Sequence, residues 1–175
     1  MLPLKDALRR ALAKQKPRRE PMDGSIRAAV LVPMLGGREP RLLFIERTAH
    51  ALDPHSGQIS FPGGRWHAGD TDAVATALRE AEEELGLGRD AVEVLGCLAE
   101  RRTITGFAIT PVIGWIETCP PLTPQAAEVA GCFQVRIGEL SGTRENGRLE
   151  YHAGGRVIWG ATARITSELL ELLAK

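Results

Sequence analysis

Residues Phe61 to Leu87 read FPGGRWHAGDTDAVATALREAEEELGL, and the second half of that stretch repeats its apolar residues at helical spacing. At about 100° per residue, Val74, Ala77, Leu78, Ala81 and Leu85 fall on one narrow arc of a helix over Ala73 to Leu85. Glu80, Glu83 and Glu84 fall together on a different arc. Residues at i, i+3 and i+4 touch, and like charges there repel by roughly a few tenths of a kcal/mol per pair. A helix shaped for solubility alone interleaves Lys or Arg; here Arg79 stands alone nearby, four residues before Glu83. Carboxylates gathered in this way ask for a divalent cation, and hard oxygen donors suit Mg²⁺ or Mn²⁺.

The run before the helix fits the same idea. Gly63 and Gly64 withhold side chains where the backbone must come close to something. Asp70, Thr71 and Asp72 crowd the helix start, where an oxygen caps free N–H groups and acids suit the dipole. Gly86 is placed to close the helix in the left-handed conformation.

Around this stretch lies a chain of 175 residues, long enough for one domain with a proper core. Its composition, 43% hydrophobic and 25% charged, is globular. The formal net charge is zero and the pI is near 6.9, so no bulk attraction to nucleic acid is expected. Cys97, Cys119 and Cys132 show no metal-ligand spacing and form no even set, which reads as free thiols in a reducing cytoplasm. The sequence shows no signal peptide and no apolar run of membrane-spanning length.

Residues 2–15 carry Leu4, Leu8 and Leu12 on one helical stripe. That stripe packs on the domain or a second subunit, or lies on a membrane surface; its narrowness favours packing. Pro17 to Ser25 is a linker. Ile26 to Val32 is a strand, and Arg41 to Glu46 is its hairpin partner. Thr48 to Gln58 is a loop leading to a short strand, Ile59-Ser60-Phe61. After the helix, Ala91 to Arg102 and Phe107 to Ile116 are antiparallel partners across a turn. A proline-containing loop runs from Thr118 to Ala127, followed by Glu128 and a strand from Val129 to Val135. Leu149 to Ala153 and Arg156 to Trp159 flank Gly154-Gly155 as a hairpin, and Ala161 to Leu173 forms a second long helix. This order predicts an α+β fold with helices on the faces of a mixed sheet.

The run Gly64…Arg79-Glu80-Ala81-Glu82-Glu83-Glu84-Leu85-Gly86-Leu87 resembles the Nudix box, G-x5-E-x7-R-E-U-x-E-E-x-G-U, where U is aliphatic. The second half matches fully. In the first half, the acid position is filled by Asp70 when counted from Gly64 and by Thr71 when counted back from Arg79. This longer loop is similar to the coenzyme A pyrophosphatase branch, whose motif before the box ends in FPGG. On that alignment the chain keeps Ala49, Gly57, Phe61, Pro62, Gly63 and Gly64, but has Thr48 and Asp53 where the motif has Arg. Neither replaces an Arg fork on a phosphate, although Arg47 lies one position away.

The resemblance implies a single Nudix domain over residues 1–175, an α/β/α sandwich in which 1–24 is helix and linker and 61–87 is the loop and helix. It implies metal ligation by Glu80, Glu83, Glu84 and the Gly64 carbonyl. The catalytic set would be Glu83, Glu80, Arg79 as the group that orients Glu83, and Glu128 as an additional acid. Arg47, Gly57, Gly63 and Arg65 would face substrate. His67 could also reach phosphate and Trp66 could stack on a base, whereas Phe61 reads as core. His50, His55 and His152 show no ligand spacing. The implied partner is a small nucleoside diphosphate derivative, with neither nucleic acid nor membrane, and a homodimer is compatible with the family. Coenzyme A or an acyl derivative is the first candidate substrate. ADP-ribose, NADH or a dinucleoside polyphosphate is the second. A binding module without turnover is the third reading, and the retained acids speak against it.

Overall fold

The computed structural model describes residues 3–15, 24–49 and 57–174. In chain order the elements are α1 (Leu4–Lys14), β1 (Ile26–Leu35), β2 (Arg41–Arg47), β3 (Ile59–Ser60), β4 (Gly63–Arg65), α2 (Ala73–Leu85), β5 (Glu93–Cys97), β6 (Arg101–Arg102), β7 (Phe107–Ile116), β8 (Val129–Arg136), β9 (Ser141–Glu145), β10 (Arg148–Ala153), β11 (Arg156–Trp159) and α3 (Gly160–Leu173). Eight strands form one mixed sheet with the central order β3-β2-β1-β7-β5. β1 and β7 run parallel from Ile26↔Phe107 to Leu35↔Ile116. The remaining pairings in this sheet are antiparallel, and β9, β10 and β11 form a separate antiparallel sheet.

The central strands are buried on both faces, which is why they read as nearly continuous apolar runs. Val32, Met34, Leu42 and Phe44 point to one side with Leu8 and Leu12 of α1 and Ile165 and Leu169 of α3. Ala29, Leu31, Leu43 and Ile45 point to the other, against Ala77, Ala81 and Leu85 of α2. The sheet is therefore sandwiched between helices, as expected. Phe61 is core, stacked on Phe44 with ring centroids 4.8 Å apart.

The stripe of α1 is covered by this chain itself: Leu8 is 1% and Leu12 4% exposed. Lys5 and Arg9 both pair with Glu93 at the start of β5. A Cβ on Gly96 would sit 3.0 Å from the Leu12 Cβ, so the glycine lets the helix approach the strand. The membrane-surface reading of α1 is thereby replaced by packing. Among the described residues no helix is long and apolar enough to cross a membrane.

Two expectations change in detail. The stretch 91–102 is not one strand: a single 3-10 turn at Arg89–Ala91 leads into β5, a bulge falls between Val94 and Gly96, and pairing resumes at β6. The C-terminal hairpin is extended by β9 into its own sheet. The expected linker lies mainly outside the described residues, as do His50, Asp53 and His55.

Candidate active site

The site begins where β1 changes partners. Its end pairs with β2 at Met34↔Leu42 and Leu35↔Arg41, while Ala28, Ala29 and Val30 pair with Arg65, Gly64 and Gly63 of β4. This brings the glycine pair under α2. A Cβ on Gly63 would lie 2.4 Å from the Ala29 carbonyl oxygen, and one on Gly64 would lie 2.5–2.6 Å from the carboxylate atoms of Glu80. Only glycine lets the strand and the acidic face of the helix meet this closely.

α2 is fixed at both ends by its own sequence. Asp72 caps the start, accepting from the Ala75 N–H at 2.8 Å, and Gly86 ends it in the left-handed conformation with φ 65°. The C-terminal carbonyls are then taken by the following loop: the Thr123 N–H donates to Leu85 O at 2.8 Å and the Gln125 N–H to Glu84 O at 2.9 Å.

Glu84 is 1% exposed. One oxygen accepts the Gly63 N–H at 2.8 Å, and the other lies 3.4 Å from Arg47 Nη1. Burial pushes its carboxyl up to about 7, against the lowering influence of Gly63 and Arg47. Glu80, 8% exposed, is also raised by burial and held back by Arg79. Glu83 is open to solvent, its side chain 57% exposed.

Arg79 joins the loop to the helix. Its Nε and Nη2 donate to the two oxygens of Asp70, each at 3.0 Å. Nη1 reaches Glu80 and Glu83, both at 2.9 Å, and Nη2 also donates to Arg65 O at 3.0 Å. Asp70 further accepts the His67 N–H and the Thr76 hydroxyl, each at 2.9 Å. The Arg79 guanidinium and these bonds hold the Asp70 carboxyl well below the usual carboxylate range. Asp70, which the sequence placed among the acids at the helix start and at the box's acid position without assigning it a catalytic or metal role, is thus the anchor that aims Arg79. The box's acid position offered the signal, but its one-residue offset hid it.

The other candidates fall in three groups. Arg47 touches Glu84, and the Arg47 N–H donates to Gln58 O at 3.0 Å beside Gly57, whose φ is 67°. Glu128 is exposed on the loop bonded to the C-terminal end of α2, close enough to raise Glu84 electrostatically. Arg65 and His67 are exposed; the Arg65 guanidinium lies 5.4 Å from the Phe107 ring centroid, and Trp66 is covered by Arg27 at 3.3 Å. Far along the chain, Glu145, Glu150 and His152 bring one donor atom each within 4.8 Å of one another. That grouping was not legible, because only strand register joins it. Arg148 already neutralises Glu150 there, its Nε donating at 2.6 Å. On α2, Arg79 stands between Glu80 and Glu83, its Nη1 donating to both at 2.9 Å.

Chains of this architecture are known. The crystal structure of RenU, a Nudix hydrolase from M. smegmatis, superposes with a TM-score of 0.62 over 87% of this chain and 96% of that one, at 19% identity. The NUDIX domain of Shewanella oneidensis NrtR, solved with ADP ribose, gives 0.51 over 74% and 82%, also at 19% identity. These likenesses define a protein of the Nudix fold. The NUDIX domain profile matches residues 25–149, and an uncharacterized Nudix hydrolase NudL from Yersinia pestis is 36% identical over 157 residues, covering 83% of this chain and 78% of that one. The chain belongs to the Nudix hydrolase family.

Proposed function

We propose that this chain hydrolyses the pyrophosphate bond of a nucleoside diphosphate joined to a second moiety, with coenzyme A or an acyl derivative as substrate and Mg²⁺ or Mn²⁺ as cofactor. The observation that carries this reading is Glu84 with Glu80: two buried carboxylates set over Gly63 and Gly64, with charges that the protein only partly offsets. That donor set, completed by Glu83 and the Gly64 carbonyl, fits a hard divalent cation. A cation held there would neutralise the diphosphate and lower the pKa of a bound water. The chain's own residues do the rest. Arg79 fixes the direction of Glu80 and Glu83, the glycine pair lets β4 pass close under those carboxylates, and Glu128 accepts the proton of the attacking water. Arg47 is placed to turn from Glu84 to a substrate phosphate. The protein acts on a small molecule in the cytoplasm in this reading.

A second reading keeps the chemistry and replaces the substrate with ADP-ribose, NADH or a dinucleoside polyphosphate. It is favoured by Thr48, which stands where the coenzyme A motif carries Arg: its hydroxyl donates to Ala126 O at 3.0 Å and offers a phosphate no cation. Product analysis over a substrate panel with Mg²⁺ or Mn²⁺ separates the two. Release of 3′,5′-ADP and phosphopantetheine from coenzyme A is the expected result. Turnover of ADP-ribose without that release selects the second reading, and no turnover at any cation concentration overturns both.

A further inference from the structure

We propose that Thr48 is a positioning residue for Glu128, an inference that rests on the reading of Glu128 as proton acceptor. β2 and β8 pair regularly up to Glu46↔Gly131, then slip so that Arg47 faces Val129. Thr48 follows this bulge and holds the incoming turn twice. Its N–H donates to Glu128 O at 2.9 Å, and its hydroxyl donates to Ala126 O at 3.0 Å. The turn is closed internally by Gln125, whose backbone carbonyl accepts the N–H groups of Glu128 at 2.9 Å and Val129 at 2.8 Å. The Gln125 side-chain oxygen accepts the Glu128 N–H as well, at 3.1 Å. On its other side the turn hangs from α2, through the Gln125 N–H on Glu84 O and the Thr123 N–H on Leu85 O.

Residues 125–128 are therefore strung between the helix that carries the carboxylates and Thr48, which directly follows β2. Glu128 itself is exposed. The turn's backbone places it, and Thr48 fixes that backbone at two points, Ala126 O and Glu128 O. A shift of about 1 Å in a catalytic group costs rate out of proportion to the stability lost.

Thr48→Val removes the hydroxyl and keeps the N–H bond, so the turn stays tied to α2 and the fold is preserved. The expected result is a fall in kcat of about tenfold with KM within roughly twofold. Thr48→Ser should restore kcat to within about twofold, because it returns the hydroxyl. In a Glu128→Gln background, Thr48→Val should cost nothing further, since the group it positions is gone. Independently of turnover, hydrogen exchange at the Glu128 and Val129 amides should quicken in Thr48→Val. An unchanged kcat in Thr48→Val, or the same fold loss with and without Glu128, contradicts the inference alone. Wild-type rates in Glu128→Gln contradict the reading of Glu128 beneath it.

Discussion

Glu84→Gln is expected to lower turnover on the order of 10³-fold, about 4 kcal/mol of transition-state stabilisation, while making the metal-free protein more stable above neutral pH. The two effects have one cause. Glu84 is almost fully buried, and burial pushes its carboxyl up to about 7 from the ordinary glutamate value of about 4.5. Between those values the folded protein keeps a proton that the unfolded chain has released. Stability is thus fully present below about pH 4.5 and is lost as pH rises toward 7. A shift of that size corresponds to about 3 kcal/mol at most. Glu80, raised by burial as well, adds a loss of the same sign. Unfolding in a chelator across pH 5 to 8 should show this slope in the wild type and a flatter one in Glu84→Gln. Mg²⁺ or Mn²⁺ should restore the wild type at pH 8 by binding only the folded state. A chelated wild type whose stability holds or rises from pH 5 to 8 would contradict the account of Glu84.

Arg79→Ala is expected to act in the opposite direction on stability, costing about 3–5 kcal/mol. The Asp70 carboxylate it serves is only 6% exposed, and the Arg79 side chain itself is 19% exposed. Removing the guanidinium strands Asp70 and takes away the shared donor of Glu80 and Glu83, so turnover should fall with stability. Arg79→Lys should recover little of either, because a single ammonium cannot meet the two Asp70 oxygens, both glutamates and Arg65 O together. Urea unfolding at pH 7 measures the first effect; a loss under about 1 kcal/mol would mean the loop is held by something else. Acid should mimic the substitution. Asp70 contributes stability that is present above about pH 4 and is lost as pH falls through its depressed value.

The contrast between these residues shows what a linear pattern carries. α2 was legible in full because everything that defines it is local: an apolar arc, a capping Asp72, a closing Gly86 and acids at i, i+3 and i+4. The central strands were legible for a similar reason, being apolar runs between turn residues. What depends on distant register was not. Nothing near Ile26 announces that it lies parallel to Phe107, and nothing near Arg101 announces the bulge that leaves Gly96 facing Leu12. β9 is exposed at every residue from Ser141 to Glu145, so it lacks the alternation that marks a strand. Asp70 and Thr48 fall in the same class. Each stands where a family pattern expects another residue or spacing, and only the folded loop shows that each has become an anchor.

Catalysis as proposed requires that the corner made by Glu80, Glu83, Glu84 and the Gly64 backbone take up a divalent cation. Anomalous diffraction from crystals soaked in Mn²⁺ addresses it directly. The expected result is a peak bounded by those carboxylates and the Gly64 carbonyl. A bare corner, with manganese found only beside Glu145, Glu150 and His152 or nowhere, would contradict it.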